Sequence, residues 1–200
     1  MQYWRDDFFK TLVDIAADAA KFPDWADYAA FCLEYERGLR PQAFAVLERF
    51  MHALERAPFS ERRRFVSWLM NTADGTPGQH VAVPHPLRLR IVEPTLVEWT
   101  AVEPKCSEPH RWIGGYEHLK LALELNGGDH AARRKLIICL LGVGTHQLPD
   151  LYVGNPHQDL ASLLEAEALL PGLPGEDERR QWFAAIQEER FLIQQYLRKT

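Results

Sequence analysis

The sequence predicts an all-α protein made of stacked antiparallel helical hairpins, an irregular bundle of eight or nine helices. Three observations point there. Apolar residues recur at helical spacing from end to end. Proline and glycine fall where helices begin and stop. Connections between the periodic segments are short, which makes sequence neighbours antiparallel neighbours. The 200 residues are 46% apolar and 26% charged, a balance that supports a folded core and excludes a disordered or fibrous chain.

Phe8, Leu12, Ile15 and Ala19 share one face of a first helix over about 4–21. Pro23 and Asp24 open a second, with Trp25, Tyr28, Ala29, Cys32 and Leu33 inward, and Gly38 ends it. Pro41 suits the first turn of a third helix, which presents Ala43, Leu47, Phe50, Met51 and Leu54. Pro58 separates this from a fourth helix built on Phe65, Trp68 and Leu69. Residues 1–73 thus form an N-terminal helical half of a chain expected to fold as one compact unit.

Residues 74–106 read as a proline-rich connector with short elements. HVAVPHPLRLRIV alternates in places, so residues 79–92 are open to strand or helix, and helix is favoured after Pro94. The C-terminal half, 107–200, opens with Ser107 as N-cap and a helix carrying Trp112, Tyr116, Leu119 and Leu123 on one stripe. Gly127 and Gly128 stop it, and Asp129 caps a helix with Leu136, Ile137, Leu140 and Leu141 inward. Asn155 and Pro156 form a cap and first-turn pair for the next, and a last helix runs over about 178–198.

Charge and cysteine content narrow the function. Lys and Arg number 23 against 28 Asp and Glu, a net charge of −5, which disfavours nucleic acid as a partner. Arg62, Arg63 and Arg64, and likewise Arg133, Arg134 and Lys135, lie on helices with acidic neighbours and read as solvated faces. No apolar run is long enough for a membrane helix, and the N-terminus lacks the pattern of a secretory signal, so a cytoplasmic location is expected. Cys32, Cys106 and Cys139 are too few and too widely spaced for a disulfide framework or a zinc knuckle.

Catalytic signatures are absent at the level of motif. There is no HExxH, CxxC, G-x-S-x-G or phosphate-binding glycine loop, and no cofactor is implied. His146, Asp150 and His157 bracket one turn and are the candidates for a metal or acid–base site. His110 and His118, on one continuous helix, would stand about 12 Å apart, too far to share an ion. The aromatic residues Trp112, Tyr116 and Tyr152 are the candidates for partner binding, as rigid anchors of a groove.

The segment YEHLKLALELNGGDHAARRKLI resembles the junction between two tetratricopeptide repeats. Ala122, Leu123 and Leu125 match the close of a repeat's second helix, Gly127 stands where proline is common, and Ala131, Ala132 and Leu136 match the opening of the next. Gly38, Ala43 and Leu47 repeat the spacing more faintly. Each match spans one helix pair, and no 34-residue period runs through the chain. The resemblance implies function by protein or peptide binding. The expectation is a non-enzymatic interaction module, of the kind of a bacterial adaptor or a toxin-neutralising protein. The alternative is an enzyme or metal protein using His146, Asp150 and His157.

Overall fold

Every regular element of the computed structural model, which describes residues 6–142 and 155–198, is a helix. The chain divides into two compact units between Val102 and Glu103.

The first unit starts with α1 (Asp6–Ala19), a 3₁₀ turn (Pro23–Trp25), α2 (Ala26–Glu36), α3 (Arg40–Arg56) and α4 (Phe59–Ala73). Gly38 closes α2 in the left-handed conformation, φ 78°. Its N–H donates to the Tyr35 carbonyl at 3.0 Å, and the Leu39 N–H to that of Glu34 at 2.9 Å. This is the paired bond of a Schellman end, in which a residue without Cβ takes the unfavourable φ. α1 packs on α2, and α2 on α3.

The proline-rich stretch is helical. α5 (Gln79–Ala82) is followed by one unbroken run of helix: α6 (His85–Leu87), a π-helical turn (Arg88–Val92) and α7 (Glu93–Val102). The wide turn has a local cause. Pro94 has no N–H to give and its ring crowds the carbonyl four residues back, so the helix loosens just before it. Glu93 accordingly donates to the carbonyl of Arg88, five residues earlier. The question of strand or helix over 79–92 resolves as helix, and these segments pack into the first unit, α5 on α1 and α7 on α4.

That packing is anchored by aromatic and polar contacts. Tyr28, fully buried, donates its hydroxyl to the Ala82 carbonyl at 2.7 Å, fixing α5 to α2. Trp25, Tyr28, Phe50, Phe65 and Trp68 form a connected ring cluster with centroids 4.8–5.9 Å apart. Arg90 on the π turn reaches Glu48 at 2.6 Å and Glu55 at 2.8 Å on α3, and Arg62 on α4 reaches Glu98 on α7 at 2.7 Å. The Arg90 guanidinium holds the Glu55 carboxyl below its ordinary pKa.

The second unit comprises α8 (Glu108–Ile113), α9 (Gly115–Leu125), α10 (His130–Leu141), α11 (Pro156–Leu169), a 3₁₀ turn (Leu170–Gly172) and α12 (Glu176–Leu197). Among the described residues, α8 packs on α9, α9 on α10, α10 on α11 and α11 on α12, a ladder in chain order. Ala122, Ala132, Leu136, Ile137, Leu163, Ala166, Ile186 and Ile193 fill its core. Asp129 caps α10 as expected, accepting from the Ala132 N–H at 2.9 Å, and Asn155 caps α11 through the N–H groups of His157 and Gln158. Ser107 precedes α8, but its backbone is already helical (φ −74°, ψ −28°) and its hydroxyl caps nothing. A capping side chain reaches back only from an extended backbone.

The helix expected from Ser107 onward is broken. Gly114 and Gly115 both have positive φ, 73° and 74°, a conformation closed to side chains with a Cβ, and they separate α8 from α9. This break and the short helices around Pro84 and Pro94 account for twelve α-helical segments among the described residues where eight or nine helices were expected.

Candidate functional site

The Gly114–Gly115 break shapes the most chemically distinctive part of the second unit. It turns α9 back so that His110 and His118 meet, with Nδ1 atoms 2.9 Å apart, rings stacked at 24° and centroids 5.2 Å apart. The expected 12 Å separation, which assumed one straight helix, is therefore wrong. The adjacent glycines in WIGGYE were the signal for it. A contact of this length needs one ring to donate N–H and the other to accept, so the pair holds together with at most one proton between the facing nitrogens.

His110 is 5% exposed, and burial, followed by the charge His118 can carry, lowers its pKa below the ordinary value of 6.5. The unfolded chain then binds more protons than the folded one between the depressed value and 6.5. Stability is full above 6.5 and falls as pH drops through that window. We expect denaturant midpoints of the full chain to decline on acidification from pH 7, and His110→Gln to show a smaller decline over the same window. Identical slopes in the two proteins would remove His110 as the cause.

Trp112 follows directly on α8. Its side chain is buried, with the Arg111 guanidinium 4.5 Å and the Lys135 ammonium 4.1 Å from the ring centroid. Its Nε1 is buried and has no hydrogen-bond partner among the described residues. Arg111 also donates to both carboxylate oxygens of Asp129, at 3.1 and 3.3 Å, with Asp129 itself buried at the head of α10. One carboxylate thus caps a helix and pairs with the cation beside Trp112.

Tyr116 is the second residue of α9 and is half-buried. Its hydroxyl donates to the Glu165 carboxylate of α11, 2.8 and 2.9 Å from the two oxygens, and accepts from Lys120 at 3.1 Å. That hydrogen bond, together with the Glu165 charge, raises the Lys120 pKa. Trp112 and Tyr116 therefore stand on different helices rather than on one stripe.

Tyr152, His146 and Asp150 lie outside the described residues. His157 is exposed in the first turn of α11. Among the described residues no three His, Cys, Asp or Glu side chains are grouped to hold a metal ion, and no helix is long and apolar enough to cross a membrane.

No protein-family model, curated protein or solved structure matches this chain.

Proposed function

We propose that the chain is a non-enzymatic, protein- or peptide-binding helical module whose second unit carries the binding face. The observation behind this reading is the ladder from α8 to α12, in which each helix packs on its sequence neighbours. Such stacks bury a continuous core and leave long open faces, which helical-repeat proteins use for extended partners. Ala122 on α9 and Ala132 on α10, both fully buried in the core these packed helices share, fit the tetratricopeptide resemblance, where small residues let two helices approach.

The open faces carry apolar side chains that a partner would cover. Ile138 on α10 and Leu164 on α11 are 53% and 62% exposed. Tyr116, bridged to Glu165, supplies a rigid aromatic anchor, and Tyr152 and the buried Trp112 complete the aromatic set. A small acidic cytoplasmic adaptor or toxin-neutralising protein would have this form.

The test begins with a partner captured from host extract, purified and titrated directly against the full chain. Ile138→Asp, Leu164→Asp, Tyr116→Ala and Tyr152→Ala are then compared. The reading expects affinity to fall by roughly tenfold or more in at least one apolar and one tyrosine variant while melting temperature holds. Affinity unchanged in all four would place the binding face elsewhere and overturn it.

A further inference from the structure

A cavity of about 400 Å³ opens on the first unit beside α4, lined by Ser60, Arg63, Arg64, Ser67 and Trp68. Ser60, Arg63, Arg64 and Ser67 are spaced i, i+3, i+4 and i+7, so two hydroxyls and two guanidinium groups share one helix face. The arginine run that reads as a uniform solvated face is in fact divided. Arg62 turns to Glu98 on α7, whereas Arg63 and Arg64 line the cavity.

We propose that this cavity binds a small phosphate monoester. A guanidinium presents its N–H groups in a planar fork that matches phosphate oxygens, and serine hydroxyls complete such a set as further donors. Both cations are placed by aromatic rings: the Arg63 guanidinium lies 4.6 Å from the centroid of the buried Trp99, and that of Arg64 5.3 Å from Trp25. Stacking restrains long side chains before a ligand arrives, which lowers the ordering cost of binding.

The carboxylates beside Arg64 leave its charge available. Asp18 already accepts from Lys21 and from the Trp68 indole, both at 2.6 Å. Asp24 meets Arg64 at 3.3 Å, with both side chains at least half exposed, so the pair is weak and a dianion can displace it. The Ser60 hydroxyl is exposed and makes no hydrogen bond among the described residues. The cavity exceeds a bare phosphate, which leaves room along Trp68 for the organic part of an ester.

The full chain should be titrated with O-phosphoserine, inorganic phosphate and serine at constant ionic strength, followed by calorimetry and by NMR of the indole N–H signals. The expected result is saturable binding of phosphoserine, weaker binding of inorganic phosphate and none of serine. Arg64→Gln and Ser60→Ala, both at exposed positions, should each weaken phosphoserine binding, the arginine change by roughly tenfold or more, with melting unchanged. Absence of saturation, equal affinity in wild type and Arg64→Gln, or serine binding as well as phosphoserine would each overturn the assignment. Inorganic phosphate binding as tightly as the ester would show that the cavity takes the free ion instead.

Discussion

Asp129→Ala is expected to lower the unfolding free energy of the second unit by about 3–5 kcal/mol, the cost of breaking a buried ion pair from one side. The carboxylate does two things at once. It accepts the Ala132 N–H at the start of α10 and both contacts from the Arg111 guanidinium, itself mostly buried. Loss of the cap alone would cost about 1 kcal/mol. The remainder arises because Arg111 stays behind, mostly buried beside the Trp112 ring, where the longer 3.8 Å contact to Glu108 offsets only part of what the Asp129 carboxylate supplied. Asp129→Asn separates the two roles, since an amide oxygen can still cap the helix while the charge is gone, and its loss should fall between those of alanine and wild type. Urea unfolding of the three proteins reads this directly. A loss near 1 kcal/mol in Asp129→Ala would show that the ion pair contributes nothing beyond the cap.

Such a double role for Asp129 was half legible. Its position after Gly127 and Gly128 and before an apolar stripe identified the cap, because capping is a local event within three residues. The pairing with Arg111 was not legible, since it depends on where α8 lies against α10. The same division runs through the molecule. Helix class, the Schellman end at Gly38 and the Asn155–Pro156 start follow from local chemistry and could be read directly. The His110–His118 contact could not, because it turns on two glycines taking positive φ together, and a helical stripe drawn through them hides the break.

The aromatic content, 6 Trp, 6 Tyr and 10 Phe, divides in the same way. Stripe counting suggests surplus rings available for a partner, yet the first unit uses Trp25, Tyr28, Phe50, Phe65 and Trp68 in one connected core cluster. Stripes on separate helices converge there, and no single helix shows it. For the same reason the proline-rich stretch reads as a connector. Its prolines shorten each element, while Tyr28, Arg90 and Trp99 supply long-range contacts that bind those elements to the first four helices.

Trp99→Ala is expected to cost the first unit about 3–5 kcal/mol, as for a large aromatic deleted from a core. The indole is fully buried on α7, the helix that packs against α4, and the Arg63 guanidinium rests over it. Alanine therefore opens a cavity and removes the ring beneath Arg63, a lining residue of the proposed phosphate cavity, in one step. Trp99→Phe restores part of the volume and an aromatic face, so it should recover a large share of the stability. The two readouts are separable. If Trp99 only fills space, an aliphatic Trp99→Leu will fall slightly below Trp99→Phe in stability, by the difference in volume, and will bind phosphoserine equally well. If the ring also holds Arg63 in place, Trp99→Leu will bind phosphoserine more weakly than Trp99→Phe at comparable stability. Denaturant unfolding paired with ligand titration on these variants distinguishes the outcomes, and equal affinity in Leu and Phe variants would confine Trp99 to a packing role.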